Sequence, residues 1–302
     1  MKTYAAIDIG SNAVRLLIKR TEDTDSDTPK TECPRLKKLL LLRVPLRLGF
    51  DVFAREVVSE KKAENLLRLM KAYRQLIKIY EVDRLRACAT SAMRDAKNGP
   101  ELIKLIKKET GIEIEIIPGQ EEAKIVYNNH IEQGGETDGD YLYVDVGGGS
   151  TELNFLSHGR LESSRSFNIG TVRILTDKVK DEQWTALNDY LGGIEAKHRD
   201  VTIIGSGGNI NKIYKMARTK DEKTQSISVE ELAMIYHTLE PLTVEQRMDR
   251  YNLRADRADV IIPAARIFLN IASIIHARRI IVPTIGVADG IIDGLYLRDC
   301  RE

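Results

Sequence analysis

Two carboxylates and a run of glycines stand together in Tyr141–Leu153, YLYVDVGGGSTEL. Asp145 lies near the end of an alternating apolar stretch that reads as a buried strand. Gly147, Gly148, Gly149 and Ser150 follow, and Glu152 falls where a second strand pattern begins. A glycine turn between two strands can aim several backbone N–H groups at one point, with no Cβ to block close approach. That is a cradle for phosphate. Asp145 and Glu152 bracket it, and two carboxylates beside phosphate oxygens suit a divalent ion, Mg²⁺ or Mn²⁺, with its waters. The competing reading is a flexible hairpin loop with a turn aspartate.

The same pattern occurs earlier. In Tyr4–Ile18, YAAIDIGSNAVRLLI, Asp8 aligns with Asp145 and Gly10 with Gly147 at one offset (145 − 8 = 137; 147 − 10 = 137). A long-period repeat of strand, aspartate, glycine turn and strand predicts two related halves, each presenting one cradle. A third glycine run, Gly205-Ser206-Gly207-Gly208, follows the apolar stretch Val201–Ile204 and leads into a helix pattern from Asn209. Strand, glycine turn and helix N-terminus make an anion site, and Gly207 is assigned to it. It is not a P-loop, since Ile210 stands where the second glycine belongs.

The elements that would carry these turns alternate. Strands are expected at Thr3–Ile9, Ala13–Arg20, Leu36–Val44, Arg84–Ala89, over IEIEIIP and at Arg279–Pro283. Thr21–Pro34 reads as a long polar hairpin loop, and Arg47 and Gly49 as a connecting loop. Helices are expected from Ser59 to Tyr80, from Pro100 to Thr110, after Asp181, over Arg254–Arg278 with a kink near Pro263, and over GVADGIIDGLYL. Ser228 with Glu231 and Thr243 with Gln246 look like capping boxes. Arg94 falls on a small-residue turn, where a surface arginine is the plainer reading. Glu121 and Glu122 open a helix, where acidic residues commonly serve the dipole. The class is α/β, a mixed sheet with flanking helices in each half. Residues 1–124, completed by a helix over 286–302, form the N-terminal lobe and 125–285 the C-terminal lobe.

The chain has 302 residues, enough for about two domains. Its formal net charge of +1 argues for neither nucleic-acid nor membrane binding, so an anionic ligand needs local arginines and backbone N–H groups. Cys33, Cys88 and Cys300 are too sparse for a disulfide framework and fit a reducing, cytoplasmic setting. The five histidines show no metal-ligand spacing.

In order, IDIGSN, the RLG loop, ATSAMR, IIPGQEEA, VDVGGGSTE, NIGTVR, GSGGN and GVADG resemble the motifs of the exopolyphosphatase / guanosine pentaphosphate phosphohydrolase family. The likeness runs over nearly the whole chain and is to the short form, without the C-terminal His-Asp helical domain of longer relatives. It implies two ribonuclease-H-like lobes of the actin, sugar kinase and Hsp70 superfamily and hydrolysis of a terminal phosphoanhydride with a divalent metal. The partner it implies is inorganic polyphosphate or guanosine pentaphosphate, and it leaves a homodimer open. By motif position Glu121 resembles the catalytic base, and Asp145 and Glu152 the residues holding Mg²⁺ or the attacking water. Gly10, Ser11 and Asn12, Gly147 to Ser150, and Arg94 match phosphate contacts. Arg15 and Arg173 match positions that often hold arginine. Ala13 replaces a serine common in relatives. Pro283 to Gly290 departs from the usual S-D-x-G-L-R-E-G at its serine, aspartate, arginine and glutamate.

The expected activity is release of terminal phosphate from short polyphosphate by direct water attack. Three alternatives stand beside it: guanosine pentaphosphate hydrolysis, a sensor with little catalysis, and a kinase of the same superfamily.

Overall fold

Six residues of small, aromatic and β-branched type and one acid, Asp8, make up β1 (Thr3–Ile9), buried along its whole length because both faces of its sheet are covered. β2 (Val14–Thr21) pairs antiparallel with it and β3 (Leu36–Val44) antiparallel with β2. β4 (Arg84–Ala89) and β5 (Ile114–Ile116) extend the other side in parallel, giving the order β3-β2-β1-β4-β5. The computed structural model describes residues 1–22, 36–132, 139–283 and 286–301. It divides into Met1–Pro118 with Val287–Glu302, and Gly119–Gly286.

In the first unit α1 (Leu48–Arg55), α2 (Glu60–Ile79), α3 (Ser91–Asp95) and α4 (Gly99–Thr110) connect the strands. The buried stripe of α2 is Leu66, Met70, Tyr73 and Ile77, one face at helical spacing. Gly111 closes α4 at φ +70°, where a side chain would be strained. The last helix, α13 (Val287–Arg301), lies on β1 and β2. Buried Lys19 reaches Asp289 at 2.9 Å and Asp293 at 3.4 Å, one turn apart, and Tyr4 meets Tyr296 edge-on.

The second unit opens with α5 (Gly119–Glu132) and the meander β6 (Asp140–Val146), β7 (Thr151–Ser157) and β8 (Arg160–Phe167). Then come α6 (Thr171–Leu175), α7 (Asp181–Glu195), β9 (Thr202–Ser206) and α8 (Gly208–Met216). β10 (Ser226–Ser228), α9 (Val229–Leu239), α10 (Val244–Tyr251), α11 (Ala255–Ala258), α12 (Ile261–Ile274) and β11 (Arg279–Ile281) complete it. The sheet order is β10-β11-β9-β6-β7-β8. Leu142, Val144, Val146, Leu153 and Phe155 face one side, in a core with helix residues such as Leu187, Ile210, Leu232 and Phe268. The alternate residues face α5.

The two sheets are copies. β1 and β6 coincide at the offset of 137 (3 + 137 = 140; 9 + 137 = 146), as do the starts of β2 and β7 (14 + 137 = 151). Each has an antiparallel second strand beside a first strand that is also paired in parallel. This is the ribonuclease-H-like arrangement that the resemblance implies.

Four local expectations are corrected. Arg47 and Gly49 do not lie in a plain loop: Gly49 is inside α1, whose buried Leu48, Val52 and Phe53 form an apolar face. The helix expected over Arg254–Arg278 is two helices, α11 and α12. Pro263 lies in the first turn of α12, where its missing N–H has no intrahelical partner to lose. Gly205 and Ser206 belong to β9, so the third turn is Gly207 alone before α8. Ser228 accepts from the Glu231 amide, but the Glu231 carboxylate bonds to Arg218 and Thr219 instead of returning to the cap. The loop expected over Thr21–Pro34 falls largely on 23–35, outside the described residues.

Candidate active site

Asp145 and Glu152 are register partners across the antiparallel pair β6–β7, and both are buried. Directly opposed residues point to the same face, and opposed like charges are unfavourable without compensation. The turn joining them is closed by Gly147 N–H donating to Ser150 O at 2.9 Å. The first copy is closed the same way, Gly10 N–H to Ala13 O at 3.1 Å.

The carbonyl side of each turn is held by a following helix. Gly147 O accepts from the Thr171 amide, and Gly148 O from the Val172 and Arg173 amides, at 2.8–3.1 Å. Arg173 Nε donates to Gly149 O at 2.8 Å. In the first unit Gly49 N–H donates to Ser11 O at 2.8 Å and Arg47 N–H to Asn12 O at 3.0 Å. With the carbonyls so used, what each turn can offer a ligand is its amides. Gly170 makes the close approach possible. A Cβ there would stand 2.4 Å from Gly149 C and 2.5 Å from Gly148 C and O.

Several elements converge on the Asp145–Glu152 pair. Asp145 is opposite Ser206 in the parallel pair β6–β9. Gly207, at φ +102°, comes so near that a Cβ would stand 2.9 Å from Asp145 Oδ1. On the other side Ser166 Oγ donates to Glu152 Oε1 at 2.9 Å. A Cβ on Gly119, the first residue of α5, would meet Ser166 Oγ at 2.3 Å and Glu152 Oε1 at 3.6 Å. Asn154 Nδ2 donates to Ala123 O at 2.9 Å, fixing the N-terminal part of α5 over this polar face. Glu121 lies in the first turn of α5 and is partly exposed, whereas Glu122 is buried.

The sequence-predicted residues therefore form two groups. Asp145, Glu152, Gly147 to Ser150, Gly207 and the helix bearing Glu121 assemble in the second unit. Gly10, Ser11 and Asn12 assemble with α3 in the first, where Ser11 Oγ and Ser91 Oγ are 2.8 Å apart. Arg94, on α3, donates from Nη1 to Ile117 O at 3.0 Å. Ser166 and Asn154 are additions that motif reading missed, while Ser91 and Gly170 stand inside the motifs ATSAMR and NIGTVR without an assigned role. Each acts through a backbone or side-chain contact that only the register reveals. Arg15 pairs with Asp8 at 2.5 Å, and Arg173 braces the turn through Gly149 O. Among the described residues no group of three or more His, Cys, Asp or Glu side chains has metal-holding geometry. A two-carboxylate seat fits a hard ion that takes its other ligands from water and phosphate. In the altered C-terminal motif, Asp289 is committed to Lys19, and 284 and 285 lie outside the described residues.

The model of the Ppx/GppA phosphatase family matches residues 34–299. A guanosine-5'-triphosphate,3'-diphosphate pyrophosphatase of Photobacterium profundum is 26% identical over 260 residues, covering 80% of this chain and 50% of that protein. Exopolyphosphatase 1 of Mycobacterium tuberculosis is 25% identical over 206 residues, covering 67% and 57%. The chain thus spans about half the length of these curated relatives. A crystal structure of the Aquifex aeolicus Ppx/GppA family member is 27% identical with a TM-score of 0.76, over 99% of this chain and 98% of that one.

Proposed function

Because the chain belongs to the Ppx/GppA phosphatase family, we propose that it hydrolyses a terminal phosphoanhydride, removing phosphate from short inorganic polyphosphate by direct attack of water. The observation that carries this reading is the buried Asp145–Glu152 pair, opposed at the mouth of a glycine turn and reached by the N-terminus of α5. Phosphoryl transfer needs an aligned nucleophile, charge neutralisation and positioning. Glu121 is the base: it orients a water and takes its proton as the water oxygen bonds to the terminal phosphorus. The bridging P–O bond breaks, giving orthophosphate and a chain one unit shorter. Glu121 is preferred to Glu122 because it is the more exposed of the two.

The turn of Gly147 to Ser150, whose Gly147 amide closes it onto Ser150 O, and the Gly207 turn hold phosphate oxygens in the second unit through their remaining amides. Gly10, Ser11, Asn12 and Arg94 hold phosphate in the first. Asp145 and Glu152 would hold a divalent ion, Mg²⁺ or Mn²⁺, which when bound supplies positive charge to the phosphates.

Guanosine pentaphosphate is the second reading, favoured by the relative from Photobacterium profundum, whose match covers 80% of this chain. Phosphate release from tripolyphosphate, longer polyphosphate, guanosine pentaphosphate and ATP, with and without Mg²⁺, tests both. Release from polyphosphate above the nucleotides supports the first reading. Release from none of the four refutes the proposal.

A further inference from the structure

The parallel pair β1–β4 keeps one offset along its length, from Tyr4 level with Arg84 to Ile9 level with Ala89 (84 − 4 = 80; 89 − 9 = 80). The Thr90 amide carries that register past the strand ends by donating to Ile9 O at 3.1 Å. Ser11 and Ser91 fall at the same offset (91 − 11 = 80), and their hydroxyl oxygens are 2.8 Å apart. Ser11 belongs to the first glycine turn, and Ser91 opens α3. On another side Ser11 is hemmed in by α1. A Cβ on Gly49 would stand 3.0 Å from Ser11 Cβ, and the Gly49 amide holds Ser11 O at 2.8 Å. The Ser11 side chain is therefore held between two helices of its own unit.

A hydroxyl has one proton to donate and lone pairs with which to accept. Among the described residues each of these two hydroxyls has the other as its one hydrogen-bond partner. One bond between them uses one proton and leaves the second without a protein acceptor. Ser11 is 3% and Ser91 2% exposed, so that proton is buried, and a buried donor left unsatisfied is costly. If Ser11 donates, the spare proton is on Ser91, at the start of α3. If Ser91 donates, it is on Ser11, in the turn that the proposed function gives to phosphate. An anion seated in that turn accepts the proton and favours the second arrangement. The second copy has no such pair, because the residue matching Ser11 is Gly148 (11 + 137 = 148).

We propose that Ser91 is a positioning residue for substrate binding: it donates to Ser11 Oγ and so aims the Ser11 proton at a phosphate oxygen. Resting on the phosphate reading of Gly10 to Asn12, this role adds a side-chain donor to that turn. Ser91 acts only through Ser11, so its removal matters only while the Ser11 hydroxyl is present.

The test is a double-mutant cycle on the full chain, read by calorimetric titration with inorganic tripolyphosphate in excess chelator. Ser11→Ala removes a hydrogen bond to a charged group and should weaken binding about tenfold. Ser91→Ala leaves the Ser11 hydroxyl but frees it among three staggered positions, which should weaken binding about threefold. In the Ser11→Ala background, Ser91→Ala should change affinity by less than about 1.5-fold, a non-additivity that a merely structural serine would not show. Ser91→Thr keeps the hydroxyl and should restore wild-type affinity. Melting temperatures check that each variant is folded, and if the threonine does not fit, the alanine cycle decides alone. Equal losses from Ser91→Ala in both backgrounds, no loss in either, or wild-type affinity in Ser11→Ala overturns the proposal. Phosphate release from tripolyphosphate with Mg²⁺ is measured alongside. Coupled binding without release removes only the hydrolytic reading, and release with additive losses removes only this inference. A flat wild-type titration removes the phosphate turn and the role of Ser91 together.

Discussion

Gly170→Ala tests the phosphate turn by a single methyl group. The backbone at Gly170 is extended, φ −141° and ψ 161°, which alanine adopts freely, so conformational strain contributes nothing. The whole effect is contact. The new Cβ would meet Gly149 C at 2.4 Å and Gly148 C and O at 2.5 Å, where ordinary carbon contacts begin near 3.5 Å. The atoms met are backbone, so relief requires the turn and the start of α6 to part by about 1 Å. Parting them stretches the bonds from the Thr171, Val172 and Arg173 amides to Gly147 O and Gly148 O. Overpacking of this kind costs about 1–3 kcal/mol, which lowers the melting temperature by roughly 2–12 °C at about 2–4 °C per kcal/mol for a unit of this size. A misplacement of about 1 Å in a positioning element costs on the order of 10²-fold in turnover. The assay pairs thermal unfolding with phosphate release. Gly192→Ala is the control, because a Cβ there meets nothing within 4 Å inside α7. It should raise stability by about 0.5–1 kcal/mol and leave turnover alone. A Gly170→Ala protein with wild-type melting and turnover would refute the argument that the turn is braced through this contact.

Glu121→Gln should lower turnover about 10²–10⁴-fold with little change in melting temperature; Glu122→Gln, at a buried position, should do the reverse, and near-normal turnover in the first variant would sink the base assignment. Saturating Mg²⁺ at about 100 times its Kd should stabilise wild type by about 2.7 kcal/mol and leave Asp145→Asn/Glu152→Gln unmoved; an equal response in both would place the ion elsewhere. Burial would raise the Asp51 carboxyl, but hydrogen bonds from Lys62 and Ser59 outweigh it and hold it below its ordinary value. A depressed folded pKa means that the unfolded chain binds more protons as pH falls, so this stabilisation is present above about pH 4 and is lost below it. Asp51→Asn should therefore cost about 1–2 kcal/mol at pH 7 and progressively less in denaturation curves taken towards pH 3; a cost independent of pH would show that the charge is not what matters.

Much of this was legible in the sequence where local chemistry decides structure. The apolar and β-branched runs Thr3–Ile9 and Tyr141–Val146 report strands buried along their length, and the stripe of α2 reports its buried face; those elements appear where patterning puts them. Gly111 stops α4 because only the left-handed region closes that turn cheaply. The misses are tertiary. Whether Leu48–Arg55 is loop or helix depends on a core for Leu48, Val52 and Phe53 to enter. Gly205 looks like a turn glycine, but it is a strand residue kept small by Ile210, Ile280 and Phe268, each within 3.2 Å of where its Cβ would lie. For the site, residue types were readable and register was not. Nothing in the spacing of Ser166 or Asn154 indicates that one bonds to Glu152 and the other holds α5.

Register also explains why two copies of one scaffold differ in chemical potential. Each copy places a buried aspartate at the same strand position, Asp8 and Asp145, beside the same glycine turn. The residue opposite differs: Arg15 faces Asp8, and Glu152 faces Asp145 (15 + 137 = 152). In the first copy Asp8 is paired internally with Arg15 at 2.5 Å. In the second, two carboxylates face each other, the pair to which the proposed function assigns a divalent ion. The covering helices diverge in parallel. α5 begins Gly119-Gln-Glu-Glu-Ala, and the segment leading α13 begins Gly286-Val-Ala-Asp-Gly. The acid at the fourth place, Glu122 or Asp289, is turned to the interior in one helix and to Lys19 in the other. At the third place Glu121 corresponds to Ala288. The two side chains that the hydrolytic reading requires, a second carboxylate for the ion and a base for the water, are thus the ones the first copy lacks.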